Sequence, residues 1–166
     1  DSAISILGPL IINNVAGFHN PQMVQIAAQT GMAIIVSHLP LAAAGNIQAG
    51  HKSIQLIASP RQALEELNLR VAQLETKGVK LKNIILDPGI GFGKTPECNR
   101  SLLKFSEMTN FPVMIGYSRK RFLGQNRMDI EPNLEAGRVA IESGAAYLRV
   151  HDVAAHRKML QNLKNQ

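Results

Sequence analysis

Short apolar runs rich in β-branched residues alternate along this chain with longer segments in which apolar residues recur at helical spacing. That alternation is the mark of βαβ units around a parallel sheet. The runs predict five strands, at 10–15, 33–38, 83–87, 112–117 and 146–150, and helices at 21–30, 60–77, 96–108, 133–143 and 154–164. Helix starts are marked by a capping residue followed by proline, as in Asn20-Pro21, Ser59-Pro60 and Thr95-Pro96. Gly31, Gly78 and Gly144 stand where C-caps stand. In the longest helix Leu64, Leu67, Val71 and Leu74 make the core-facing stripe. Residues 39–58, rich in Ala, Gly and Gln and without period, read as an active-site loop or an insertion.

The strand ends carry the chemistry. Ile84-Ile85-Leu86 ends in Asp87-Pro88-Gly89-Ile90-Gly91-Phe92-Gly93-Lys94. Pro88 stops the ladder, and the alternate glycines let a ligand approach the backbone. The next run delivers Gly116-Tyr117-Ser118-Arg119-Lys120, and the last delivers Arg149-Val150-His151-Asp152. Gly93-Lys94-Thr95 fails as a nucleotide P-loop, because the position six before the lysine is Pro88 rather than glycine. Taken singly, each motif has a plainer account. Asp87 suits a turn opening, Ser118-Arg119-Lys120-Arg121 a solvated basic run, and Arg149 a pair with Asp152. His38 reads as a satisfied wall residue, and His19, His51 and His156 as surface residues.

Together the three strand-end motifs, with Ile11-Ile12-Asn13-Asn14-Val15 and Gly17, resemble dihydropteroate synthase over nearly the whole chain. The resemblance implies an incomplete (β/α)₈ barrel of the TIM type, 1–166 forming one pterin-binding domain whose five units correspond to the fourth to eighth strands. A complete barrel takes about 250 residues, so three units and the N-terminal loops over the substrates are expected to be missing. The implied activity joins 6-hydroxymethyl-7,8-dihydropterin pyrophosphate to para-aminobenzoate, giving 7,8-dihydropteroate and pyrophosphate in folate biosynthesis. On that resemblance Asn13 and Asp87 hold the pterin, and Lys120 reaches it from the other side. Gly116, Ser118 and Phe92 border the para-aminobenzoate pocket, while Arg149 and His151 face the pyrophosphate. Lys120, Arg149 and His151 are the implied catalytic residues. Mg²⁺ is implied on the pyrophosphate, but its family ligand has no counterpart here, so no metal ligand is assigned. Asn14 departs from the family's usual Asp, and Ser37-His38-Leu39 from its usual Met-His pattern. The alternatives are a non-catalytic pterin-binding homologue or remnant and, behind it, a methyltetrahydrofolate-binding methyltransferase domain.

Composition narrows the partners. The net charge of +6 is spread over the chain and meets only five Phe and two Tyr, which speaks against nucleic acid and for anionic small molecules. Cys98 is the only cysteine, pointing to a reducing, cytoplasmic setting. No membrane span or convincing secretion signal is read. Five parallel strands leave two sheet edges, so missing strands from another chain, or self-association into a homo-oligomer, are expected.

Overall fold

The computed structural model describes residues 10–40 and 56–164. Its elements run β1 (Ile11–Asn14), α1 (Pro21–Thr30), β2 (Ala33–Ser37), α2 (Pro60–Thr76), β3 (Ile84–Asp87), α3 (Pro96–Ser101), β4 (Met114–Ile115), α4 (Ile130–Glu142), β5 (Tyr147–Leu148) and α5 (Val153–Lys164). Strands β1, β2 and β3 pair in parallel, in sequence order. Strands β4 and β5 form a second parallel pair. A parallel bridge between Leu86 and Val113 joins the two sheets, reinforced by the Leu86 N–H donating to the Pro112 carbonyl at 2.9 Å. Strand order therefore follows chain order throughout, as βα units wound in one direction require.

Caps explain why the helices begin where they do. The side chains of Asn20, Ser59 and Thr95 accept from Gln22, Arg61 and Cys98 backbone N–H groups, with proline next in each case. Gly31 closes α1 in the left-handed region at φ 62°. In α2 the buried residues are Ala63, Leu67, Val71 and Leu74, with Leu64 half-buried beside them.

The central strands β2, β3 and β4 are buried on both faces. Ile34, Val36, Ile84, Leu86 and Ile115 join the main core with Leu67, Leu74 and Phe105 from the surrounding helices. The opposite face carries a small cluster of Ile35, Ile85 and Met114. Side chains alternate along a strand, so Ser37 and Asp87, two residues beyond Ile35 and Ile85, project from that second face at the strands' C-terminal ends. This places Ser37 and Asp87 on the face away from the main core.

Three departures from the sequence expectation have physical causes. The helix expected over 96–108 breaks after Ser101, and Leu102–Met108 continues as a 3₁₀ segment with non-helical geometry at Lys104. Leu102, Leu103 and Phe105 are buried by it all the same, so their spacing did not discriminate. Helix α4 starts at Ile130, ahead of the expected 133, because Pro132 falls in the first turn, where its missing N–H costs nothing. His156, expected at the surface, is buried. The expected loop falls mostly outside the described residues, along with His51. At its end Ile57 pairs with Lys94, taking the Gly93 carbonyl and giving its own to the Thr95 N–H, both at 3.0 Å.

Candidate active site

Asp87 is the centre of the site. Its carboxylate is 1% exposed and receives two hydrogen bonds and one ion-pair contact. The Gly89 N–H reaches Oδ1 at 2.8 Å, the Ser37 hydroxyl reaches Oδ2 at 3.2 Å, and Arg149 Nη2 lies 3.2 Å from Oδ2. Burial pushes this carboxyl above its usual range, and Arg149, Gly89, Ser37 and Lys94 pull the other way. With two hydrogen bonds and a guanidinium converging on an acceptor-only group, the geometry favours the carboxylate.

The glycine loop that follows is folded around Lys94. Its ammonium is buried and donates to the Gly89 and Phe92 carbonyls, each at 2.9 Å. Burial depresses it to about 8, against the pull of neighbouring Asp87 and Glu66. Asn99 fastens the same loop from α3, accepting from Gly91 N–H at 2.7 Å and donating to the Lys94 carbonyl at 3.3 Å. Phe92 lies beneath Lys120, whose Nζ is 4.4 Å from the ring centroid, a cation–π contact. Burial, then Arg149, lowers the lysine from its usual range.

Beyond β4 the chain turns through Arg119 at φ 61°, an uncommon conformation for a residue with a side chain. Asn133 holds that turn, accepting from Arg119 N–H at 2.9 Å and donating to the Arg127 and Asp129 carbonyls. Gly116 leaves room for Arg149, since a Cβ there would sit 2.6 Å from Nη2. The Ser118 hydroxyl lies 3.0 Å from His151 Nδ1, tying the end of β4 to the end of β5.

The structure thus brings Asp87, Phe92, Gly116, Lys120 and Arg149 into one cluster, with Ser118 and His151 paired at its side. Asn13 faces the same side of the sheet, level with Ile35, but its side chain makes no hydrogen bond among the described residues. Arg149 pairs with Asp87 and not with Asp152, whose carboxylate instead caps the Ala155 N–H at 2.9 Å. The Asn14 amide oxygen accepts from Phe18 N–H at 3.1 Å, a contact a carboxylate could equally make. Ser37, Lys94, Asn99 and Asn133 were not foreseen as site residues. Only Lys94 carried a local signal, its place closing the glycine loop.

His38, next to Ser37, is buried with Nε2 3.0 Å from a Glu66 carboxylate oxygen. Burial, then Lys94, lowers its pKa to about 4 despite that contact, so the neutral ring donates its Nε2–H. The unfolded chain binds a proton near 6.5 that the folded chain refuses until about 4. Stability is therefore full above 6.5 and falls as the pH drops through that window. Denaturant melts at pH 7.5 and 4.5 are expected to show that loss, and His38→Gln to lessen it. An equal pH dependence in both proteins would contradict the assignment.

Fold and site together define an α/β protein that gathers one buried carboxylate and three cations at the C-terminal ends of parallel strands. The chain belongs to the pterin binding enzyme family, whose pattern matches residues 1–151. It is 31% identical over 160 residues to the dihydropteroate synthase of Escherichia coli (strain K12), a match covering 89% of this chain and 54% of that enzyme. The chain thus spans about half the length of this relative. The crystal structure of dihydropteroate synthase from Thermus thermophilus in complex with 6HMPPP superposes with a TM-score of 0.77 at 30% identity, covering 97% of this chain and 66% of that one. The Xanthomonas albilineans dihydropteroate synthase in complex with 7,8-dihydropteroate gives a TM-score of 0.77 at 27% identity, covering 98% and 61%.

Proposed function

We propose that this chain is the pterin-binding part of a dihydropteroate synthase, condensing 6-hydroxymethyl-7,8-dihydropterin pyrophosphate with para-aminobenzoate. Its five βα units, on this reading, are the fourth to eighth of a (β/α)₈ barrel, and 1–166 act as one domain. The observation that carries it is the Asp87 carboxylate at the foot of a glycine loop, with Arg149, Lys94 and Lys120 around it. Adjacent N–H groups of a pterin need an acceptor pair, and a buried carboxylate provides one. Asn13 is assigned to a neighbouring pterin edge.

Arg149 Nη2 lies against Oδ2 of that carboxylate, 3.2 Å away. Its side chain is 37% exposed, so it has a way out of the site. A pyrophosphate is the stronger partner for a guanidinium fork. The substrate therefore frees its own acceptor, its leaving group drawing Arg149 off while the pterin takes Asp87. His151, held through Nδ1 by Ser118, keeps Nε2 for the same anion, and charge developing on the departing oxygen is stabilised by both. The amine of para-aminobenzoate, seated beside Phe92, Gly116 and Ser118, attacks the exocyclic methylene as the carbon–oxygen bond breaks. Lys120 lies over Phe92 between the two substrates. Mg²⁺ is not accommodated by the residues described. Asp87 already takes two hydrogen bonds and an ion pair and is ringed by cations, so no step is assigned to the metal here.

No helix among the described residues is long and apolar enough to cross a membrane. The buried, unpaired Cys98 suits a reducing compartment, and we assign the chain to the cytoplasm on that ground.

Arg149→Ala is expected to weaken the pyrophosphate-bearing pterin by about ten-fold or more while leaving bare hydroxymethylpterin unchanged or slightly tighter, because the competitor for Asp87 is gone. Equal losses for both ligands, measured by calorimetry, would remove Arg149 from the leaving-group role. The function itself is tested by titrating the protein with the pterin pyrophosphate and then with para-aminobenzoate and Mg²⁺. Turnover with pyrophosphate release supports the synthase reading, and no binding overturns it. Binding without turnover favours a non-catalytic pterin-binding protein, the reading suggested by the chain's reach over about half of its relative.

A further inference from the structure

We propose that Tyr117 and His156 form a buried hydrogen-bonded latch that positions Ser118 and His151 on the anion side of the site. Its functional arm rests on the pterin pyrophosphate reading above. Tyr117 is 0% and His156 3% exposed, yet Tyr117 Oη and His156 Nε2 have no hydrogen-bond partner among the described residues. Buried polar atoms are seldom left so. The two rings lie 6.0 Å apart between centroids at an interplanar angle of 48°, and both converge on Gly137 in α4. A Cβ at Gly137 would overlap the tyrosine oxygen and lie 3.3 Å from His156 Cδ2.

The chemistry of the two atoms is complementary. His156 Nδ1 lies 2.6 Å from the Asp152 carbonyl, which can only accept, so Nδ1 carries a proton and, in that tautomer, Nε2 is an acceptor. Burial pushes the Tyr117 phenol well above its usual range, so it keeps its proton and donates. A direct contact or one bridging water satisfies both atoms. An apolar pair would fill this space without creating the two polar atoms, so the match of donor to acceptor argues for a working contact.

The latch closes a ring of contacts around the site. Tyr117 precedes Ser118, and His156 is tied to Asp152, which follows His151. Ser118 Oγ and His151 Nδ1 meet at 3.0 Å on the other side of the ring. The ends of β4 and β5 are thereby fastened twice, once in the core and once at the site. Tyr117 and His156 are positioning residues, acting on the anion through Ser118 and His151.

Tyr117→Phe removes one oxygen and keeps the packing, and ¹⁵N spectra of the histidines together with titration of inorganic pyrophosphate test the idea. In the unmodified protein His156 is expected in its Nδ1–H form. In Tyr117→Phe its Nε2 resonance should move to that of an unbonded acceptor, and the His151 nitrogens should shift with it. Pyrophosphate affinity should fall about two- to ten-fold, the weight of one hydrogen bond, with bare hydroxymethylpterin affinity unchanged. His156→Leu should match that loss, and His156→Gln should recover part of it. An Nε2–H form of His156, or His151 resonances unmoved by Tyr117→Phe, would overturn the latch. If the unmodified protein binds no pyrophosphate, the functional reading falls, and the latch is still decided by the His151 resonances.

Discussion

Asp87→Asn is expected to fold and to bind pterin about 1.5–3 kcal/mol more weakly, the range for hydrogen bonds to a charged acceptor. The amide keeps the shape and one acceptor oxygen, so Gly89 N–H or Ser37 is still served, but the pair of acceptors is gone. Asp87→Ala is a different experiment. It leaves the Gly89 N–H and the Ser37 hydroxyl without partners, strands Arg149 without its carboxylate, and takes from Lys94 one of the acids beside it, leaving Glu66. Breaking a buried pair in this way costs about 3–5 kcal/mol, and the partial exposure of Arg149 puts the expectation at the lower end. Melting each variant and titrating the folded one with hydroxymethylpterin separates the two effects. Unchanged affinity in Asp87→Asn would take the carboxylate out of the pterin site, and unchanged stability in Asp87→Ala would mean that the donors find water instead.

The strand ends were legible because their chemistry is local. Asp87, Ser118, Lys120, Arg149 and His151 each stand where an apolar run stops, and parallel strands carry such ends to one edge of the sheet. Helix α1 was read to both ends for a similar reason, since Asn20, Pro21 and Gly31 mark it from outside its own pattern. The residues that brace the site were not legible. Asn99 and Asn133 look in the sequence like ordinary early-helix residues, and their partners lie in loops before or around them. Ser37 meets Asp87 only because β2 and β3 pair in register, Ser37 opposite Asp87. His156 heads the apolar face of Met159, Leu160 and Leu163, but a lone histidine there gives no sign by itself of being buried, and the phenol packed beside it comes from the end of β4. The acid that Arg149 meets was not legible either, since Asp152 is close in sequence and Asp87 only close in space. Pairing across β3, β4 and β5 decided it.

Gly89→Ala is expected to be the most damaging single-methyl change in the glycine loop. Gly89 has φ 65°, a conformation that costs a residue with a Cβ about 1–2 kcal/mol by itself. The added carbon would also overlap the His38 carbonyl oxygen, which is backbone and cannot swing aside, and would sit 3.3 Å from Lys94 Nζ. Relief requires the end of β2 or the loop to move, which breaks the Gly89 N–H contact to Asp87 and the Lys94 contact to the Gly89 carbonyl. A loss of about 4 kcal/mol or more is expected, within the small class of severe substitutions. Two other glycines separate the causes. Gly124 has φ 92° and ψ −163° with nothing within 4 Å of a Cβ, so Gly124→Ala should lose only the conformational cost, about 1–3 kcal/mol. At Gly91, φ 85°, a Cβ meets only the Lys120 side chain, at 3.0 Å from its Cδ. Since that chain is flexible, Gly91→Ala should match Gly124→Ala in stability and differ from it in pterin affinity, because it displaces Lys120. Denaturant melts of the three variants, with one pterin titration, check the series. Equal losses at Gly89 and Gly124 would mean that the close approach to His38 carries no weight and that backbone conformation alone selects glycine in this loop.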